Sequence, residues 1–200
     1  MEQYVITISR QFGSMGRSIA RELSEILGIE FLDRDIVEAT AKRMGLPVSV
    51  ISDEEESMKS TFFRRQYPLG MGMSSLKDEI FLTQKNIIRD FAAKGSCIIV
   101  GRCADYILRE HPRCANVFIS ASKEDRITRL CAMHHIDAEA AEEMIEKADK
   151  RRSEYYNYYS YKTWGAAATY HLCVDSSSLG VEETVRFIEE FVVKKLQLIL

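Results

Sequence analysis

Short apolar runs alternate along the chain with longer segments whose apolar residues recur at helical spacing. The runs at residues 4–8, 29–32, 97–100, 115–120 and 170–174 predict five strands. Helices are predicted over 19–27, over 36–44, from about 75 to Gly95, after Asp125, over 137–159 and over 181–195. This alternation predicts an α/β fold with a mainly parallel five-stranded sheet and helices on both faces.

The length of 200 residues fits one domain, and no repeat or linker divides the chain. Residues 46–75 are the least regular part. Ser52 and the acidic residues after it are typical of a capped helix start, and 68–75 is a flexible tract rich in glycine and serine. Two interpretations stay open: a mobile cover over a substrate, or a surface that packs on a second subunit of a homo-oligomer.

Composition limits the class of partner. Hydrophobic residues make up 46% and charged residues 28% of the chain, as in a soluble globular protein. The formal net charge of −3 gives no global attraction to nucleic acid or to an anionic membrane. We therefore expect neither a nucleic-acid polymer nor a membrane as partner, and any affinity for phosphate must come from local clusters.

The five cysteines are odd in number and never at C-x-x-C spacing. Reduced thiols in a cytosolic protein, without a zinc site, are the expectation. The sequence contains neither a basic start followed by an apolar core nor an apolar run near the ~20 residues of a membrane span. We expect a cytoplasmic protein.

The loop between the first strand and the first helix is suited to a phosphate group. Backbone N–H groups and the positive end of the helix dipole converge there. Gly13 and Gly16 allow close approach, Arg17 brings a positive charge, and Ser18 offers a hydroxyl to Mg²⁺. The alternative is that these glycines only turn a strand into a helix.

This loop resembles a Walker A phosphate loop but lacks its lysine. The pattern is Gly, four residues, then Gly-Lys-Ser/Thr. When residues 16–18 are aligned with the final Gly-Lys-Ser/Thr of this pattern, Gln11 occupies the position of the first glycine and Arg17 that of the lysine.

Charged residues gather where the predicted strands end. They are Asp33, Arg34 and Asp35 after the second strand, Arg102 after the third, Arg126 and Arg129 after the fourth, and Asp149, Arg151 and Arg152 on the helix at 137–159. Open α/β sheets bind ligands at this edge. Converging guanidinium groups suit phosphoryl transfer, which depends on positioning and charge neutralisation. The alternatives are that Asp33 caps a helix and that the arginines form ordinary surface ion pairs.

Tyr155, Tyr158 and Tyr159 fall on one face of the same helix. Such a stripe either packs against a neighbouring element or stacks on a nucleobase, and packing is the commoner role.

In the order and spacing of its motifs the chain resembles the cytidylate-kinase-like proteins, relatives of bacterial cytidylate kinases among the P-loop nucleoside monophosphate kinases. Six segments carry the resemblance: residues 6–14, 32–35, 99–102, 117–121, 149–152 and 175–177. It implies a three-layer α/β/α fold of the P-loop NTPase type, a helical lid-like region at about 137–165, nucleotide binding, and ATP with Mg²⁺ as cofactors.

The resemblance also implies roles for individual residues. Those that would surround the donor phosphates are Gly13, Ser14, Gly16, Arg17 and Ser18, with Ser18 as the metal ligand. Those that would contact the acceptor are Arg102, Asp149 and Arg152, with Asp105 as a substitute for a missing aspartate. Asp33 and Arg34 join them as substrate-contact candidates because of their position after the second strand. Arg17, Arg126 and Arg152 are the catalytic candidates, and Arg151 is a weaker one.

Three departures from the cytidylate kinase pattern affect this interpretation. When residues 13–18 are aligned with the Gly-Ser-Gly-Lys-Gly-Thr of those enzymes, Gly16 falls at the lysine position, so no register supplies a lysine. Cys103 replaces the aspartate of Gly-Arg-Asp, with Asp105 as the nearest substitute, and Ile145 replaces a substrate-binding arginine.

The sequence thus favours an ATP-dependent kinase whose acceptor is a nucleoside monophosphate, CMP-like, or a related small molecule. The alternative is a nucleotide-binding regulatory or sensor protein without kinase activity. A kinase for a quite different small molecule also stays open, because the fold does not fix the acceptor.

Overall fold

A sheet of five parallel strands forms the centre of the protein in a computed structural model, which describes residues 3–56 and 76–198. The strands are β1 (Val5–Arg10), β2 (Glu30–Leu32), β3 (Cys97–Val100), β4 (Cys114–Ser120) and β5 (Leu172–Asp175). Their order is β2-β3-β1-β4-β5, and all four neighbouring pairs are parallel. The predicted sheet is confirmed. The apolar run of β3 is fully buried between β1 and β2, as its composition predicts.

Helices connect the strands. They are α1 (Gly16–Leu27), α2 (Arg34–Met44), α3 (Val48–Glu56), α4 (Leu76–Lys94), α5 (Ala104–Ile107), α6 (Lys123–His134), α7 (Ala138–Ser160) and α8 (Ser176–Leu196). A 3₁₀ turn, Ala167–Thr169, precedes β5. The one-turn α5 is too short to give a periodic pattern, which is why the sequence does not predict it.

Two predicted helix starts are wrong by a full turn or more, and α1 begins at Gly16, slightly before the predicted residue 19. The helix expected to begin at Ser52 begins at Val48, directly after Pro47, because proline favours the start of a helix and the acidic residues then lie in its second half. The last helix begins at Ser176, where the Asp175 carboxylate accepts a hydrogen bond from the Ser177 N–H. Gly180 has φ 76° and kinks this helix, so the periodic part begins only after it. Residues 57–75 lie outside the described part of the chain.

Helices cover both faces of the sheet, which confirms the three-layer α/β/α fold. On one face α1 and α8 pack on β1 and β4 through residues such as Ile19, Val185 and Ile188. On the other face α4, α5 and α7 pack on β3, with Ile88 and Tyr156 fully or nearly buried. Within residues 3–56 and 76–198, no helix is long and apolar enough to cross a membrane.

The tyrosines of α7 hold this helix against α4. Tyr159 stacks on Phe81 with ring centroids 3.9 Å apart, and its hydroxyl donates to the Asp78 carboxylate. Tyr155 donates a hydrogen bond to the Gln84 side chain, whereas Tyr158 is exposed. Packing therefore accounts for Tyr155 and Tyr159, and it places the middle of α7 at the edge of the sheet where the strands end.

Candidate functional site

A cavity of about 270 Å³ opens at the carboxyl ends of β1 and β3, beside α7. Its lining residues are Arg10, Phe12, Arg102, Ala148, Arg151, Arg152 and Tyr155. Four of these seven are arginines, so the cavity is suited to a ligand with several negative charges. Phe12 and Tyr155 add aromatic surface to the same space.

Asp33 holds two arginines at the rim of this site. Its carboxylate accepts from Nε of Arg17 at 2.6 Å and from Nη1 of Arg102 at 3.0 Å. Burial disfavours its charge, but the charge and hydrogen bond of Arg102, with the charges of Arg10 and Arg17, keep the pKa of Asp33 below its ordinary value. The carboxylate thus forms ion pairs with the two arginines, and its side chain does not cap α2.

The turn that carries Arg102 has an unusual backbone. Gly101, Arg102 and Cys103 are three consecutive residues with positive φ, at 75°, 54° and 54°. The two non-glycine residues cost about 1–3 kcal/mol each in such a conformation. The turn places the Arg102 guanidinium back over the end of β3, where Nη1 also donates to the Val100 carbonyl at 3.1 Å.

Asp149 and Arg126 connect α7 and α6 to the loop after β1. Nη1 of Arg126 donates to Oδ2 of Asp149 at 2.5 Å, and the Phe12 N–H donates to Oδ1 at 2.7 Å. Only 9% of the Arg126 side chain and 17% of the Asp149 side chain are exposed. Both residues therefore lie behind the loop, and their charges neutralise each other.

Arg152 lies between this ion pair and the cavity. Its Nη1 donates to the Arg10 carbonyl at 3.1 Å, and its guanidinium lies over the Phe12 ring at 5.4 Å from the centroid. Burial lowers the pKa of Arg152; Asp149 raises it and Arg151 lowers it again. An arginine remains charged at neutral pH in this situation.

The start of α1 has no side-chain cap at Met15 among the described residues, and its first turn contains no acidic residue. The Ser14 hydroxyl bonds back to the Gln11 carbonyl at 2.9 Å, and the Ser176 hydroxyl donates to the Ser14 carbonyl at 2.8 Å. The loop is thus held from behind, which leaves the first N–H groups of α1 available to an anion.

Of the predicted site residues, Arg102, Arg151 and Arg152 line the cavity. Ser18, Arg34 and Asp105 are among those that do not. Ser18 is exposed in a separate groove along α1 that also contains Arg17, and Arg34 is exposed at the first position of α2. Asp105 is 4% exposed, and the Tyr156 hydroxyl donates to its carboxylate at 2.5 Å. Burial raises the pKa of Asp105, while the Tyr156 hydrogen bond opposes this. Asp105 therefore joins α5 to α7 inside the protein, so we leave it out of the proposed site.

We expect Asp105→Ala to lower the free energy of unfolding by about 1–3 kcal/mol, because the buried Tyr156 hydroxyl loses an acceptor. The Asp105→Ala/Tyr156→Phe double variant should lose less than the sum of the single variants. Urea unfolding measures both. Additive losses would show that the two side chains are not coupled.

Arg10 and Phe12 were not among the predicted site residues, although both line the cavity. The available signal was the position of Arg10 at the end of the first strand. A Cβ at Gly16 would lie 2.6 Å from the Arg10 Cβ, and a Cβ at Gly101 would overlap its Nη1. Two glycines distant in the sequence thus leave space for one arginine, which only the three-dimensional structure reveals.

The all-parallel sheet, with its central strand leading through a glycine loop into α1, defines a protein with the P-loop kinase fold. The chain belongs to the cytidylate kinase-like family, whose model matches residues 5–178. No curated protein gave a significant match.

Solved structures with this fold cover nearly the whole chain. An uncharacterized protein from Eubacterium ventriosum is 27% identical, with a TM-score of 0.73 over 95% of this chain and 98% of that one. A shikimate kinase from Acinetobacter baumannii, in complex with shikimate, is 15% identical, with a TM-score of 0.54 over 96% and 94%. A gluconokinase from Sinorhizobium meliloti is 14% identical, with a TM-score of 0.56 over 98% and 94%. The two kinases support the fold alone.

Proposed function

We propose that the protein transfers the γ-phosphoryl group of ATP to a nucleoside monophosphate, CMP-like, or to a related small phosphorylated acceptor. The observation that carries this proposal is the cavity with four arginines, one of which, Arg10, also packs against the uncapped start of α1. Family membership supports the same reaction class. In phosphoryl transfer the protein mainly positions two phosphate groups and neutralises their charge, so an arginine-lined cavity is the appropriate machinery.

On this proposal the two sides of the site have different tasks. The loop residues Gly13, Ser14 and Gly16, with Arg17 at the rim, receive the donor phosphates. Arg102 and Arg152 bind the acceptor phosphate from the other side. Arg126 and Asp149 are positioning residues, because their contacts hold the loop.

The chain has features that fit ATP and Mg²⁺. ATP with Mg²⁺ would supply the transferable phosphoryl group. The uncapped N–H groups of α1 suit phosphate oxygens. In the described ranges no group of three His, Cys, Asp or Glu residues is arranged to hold a metal ion. Mg²⁺ binds largely through phosphates and water, so one protein ligand is sufficient. The proposed ligand is the Ser18 hydroxyl, in the groove along α1 that it shares with Arg17.

A nucleotide-binding regulator without kinase activity is the second candidate. Gly16 stands where the family resemblance requires a lysine, and this observation favours it. The Phe12 N–H of the loop also donates a hydrogen bond to the Asp149 carboxylate. One amide of the loop therefore already binds an anionic side chain of the protein and not a phosphate.

The proposed setting is the cytoplasm, where the five free cysteines would stay reduced. The small net negative charge supports a small-molecule partner, with neither a nucleic-acid polymer nor a membrane. A homo-oligomer stays part of the proposal through residues 46–75, of which 57–75 lie outside the described ranges.

A thermal-shift screen followed by an ADP-release assay tests the proposal. The purified protein is heated with ATP–Mg²⁺, CMP, dCMP, UMP, AMP and GMP, singly and in pairs, because a ligand that binds only the folded state raises Tm. We expect ATP–Mg²⁺ and one monophosphate to raise Tm, and that pair to release ADP. Shifts without ADP release would favour the regulator, and no shift with any nucleotide would overturn both candidates.

A further inference from the structure

Arg10 stands where a phosphate loop has its first glycine. In the P-loop pattern the lysine comes six residues after that glycine. When Gly16 is placed at the lysine position, the glycine position falls on Arg10. The chain therefore has an arginine and a glycine where the pattern has a glycine and a lysine. The positive charge has moved from the start of the helix to the end of the strand.

The contact between these two positions explains the exchange. A Cβ at Gly16 would lie 2.6 Å from Cβ and 3.0 Å from Cγ of Arg10. Gly16 is not among the residues with positive φ, so backbone conformation alone gives no reason for glycine there. The stem of Arg10 uses the space that a side chain at residue 16 would fill.

The far end of the Arg10 side chain lies at the turn that carries Arg102. A Cβ at Gly101 would overlap Nη1 of Arg10. The Arg10 charge also helps to keep the pKa of Asp33 low. The side chain thus runs from the start of α1 to the arginine cavity, which it lines.

We propose that Arg10 supplies the phosphate-binding cation that a P-loop takes from its lysine, and that it binds the phosphate chain of a nucleoside triphosphate. This inference rests on the proposed function of the same site. Since the guanidinium lies between the loop and Arg102, it contacts the phosphate nearest the acceptor. Its planar fork offers two parallel hydrogen bonds, which a lysine does not.

Moving the cation back to residue 16 tests the exchange directly. Calorimetry with inorganic tripolyphosphate and with ATP–Mg²⁺ compares the wild type with Arg10→Gly, Gly16→Lys and the double variant. We expect Arg10→Gly to weaken binding of both ligands by about 50-fold. The double variant should recover at least about 10-fold of this loss, because a lysine at residue 16 then has both the space and the position it needs. Gly16→Lys alone should not improve binding, since Arg10 fills that space.

A second variant keeps every charge and changes only the space. Gly16→Ala should weaken tripolyphosphate binding by about 5-fold, because its Cβ displaces the Arg10 stem. Gly95→Ala is the matched control, since a Cβ at Gly95 meets nothing within 4 Å, and its affinity should equal that of the wild type. Urea unfolding confirms that each variant is folded at the temperature of the titration.

The outcomes separate this inference from the proposed function. Arg10→Gly affinities within about twofold of the wild type would overturn the inference. Loss in the single variant without recovery in the double variant would overturn it too, because Arg10 would then act only through Asp33 and Arg102. Predicted losses and recovery without ADP release from any acceptor would uphold the inference and reject the kinase. A wild type that binds neither ligand would overturn both.

Discussion

Asp149→Ala should lower the free energy of unfolding by about 3–5 kcal/mol, because it leaves the guanidinium of Arg126 buried without its counter-charge. The Phe12 N–H loses its acceptor at the same time, so the loop after β1 loses one of its links to α7, while those through Arg152 remain. Urea unfolding measures the loss. Binding of tripolyphosphate should also weaken, since the loop is held less firmly.

Two controls show whether the loss comes from the buried pair. Glu143→Ala removes a partner from an exposed ion pair on the same helix, with Lys147 63% and Glu143 65% exposed, and should change stability by less than about 0.5 kcal/mol. The Asp149→Ala/Arg126→Met double variant should be more stable than Asp149→Ala alone, because it removes the isolated charge. A double variant less stable than the single one would contradict this account.

Most of the fold can be predicted from the sequence because each buried strand is a short apolar run with a loop signal at its end. The all-apolar β3 is the clearest case. The features that could not be predicted either depend on a single residue or belong to a very short element. Pro47 moves the start of α3, Gly180 interrupts α8, and the single turn of α5 has too few residues for a period.

The candidate site was predictable in part, since parallel strands bring their carboxyl ends to one edge. Arg102 lines the cavity for that reason, whereas Arg152 lines it because α7 packs at the same edge. The sequence does not show which charges neutralise each other. Asp149 and Arg126 form an ion pair with each other, and Asp105 is buried against Tyr156. Arg10 was not predicted because its side chain occupies space left by Gly16 and Gly101, which are distant from each other in the sequence.

Arg102→Ala should weaken the binding of CMP, or of the monophosphate with the largest thermal shift, by about 100-fold or more. A guanidinium–phosphate contact is a pair of charge-assisted hydrogen bonds, each of about 1.5–3 kcal/mol. Arg102 is only 12% exposed and is held by Asp33 and by the Val100 carbonyl, so its guanidinium is in position before the ligand arrives. Calorimetry measures the affinity.

Two further variants separate charge from geometry. Arg102→Lys keeps the charge but not the planar fork, so we expect an intermediate loss of about 10-fold. Arg186→Ala removes an exposed arginine of α8 that pairs with Glu182 and Glu183, and monophosphate affinity should not change. Stability is measured in parallel, because Arg102→Ala also deprives Asp33 of a partner. If Arg102→Ala binds the monophosphate within about twofold of the wild type, Arg102 serves Asp33 alone, and the acceptor phosphate must bind elsewhere in the cavity.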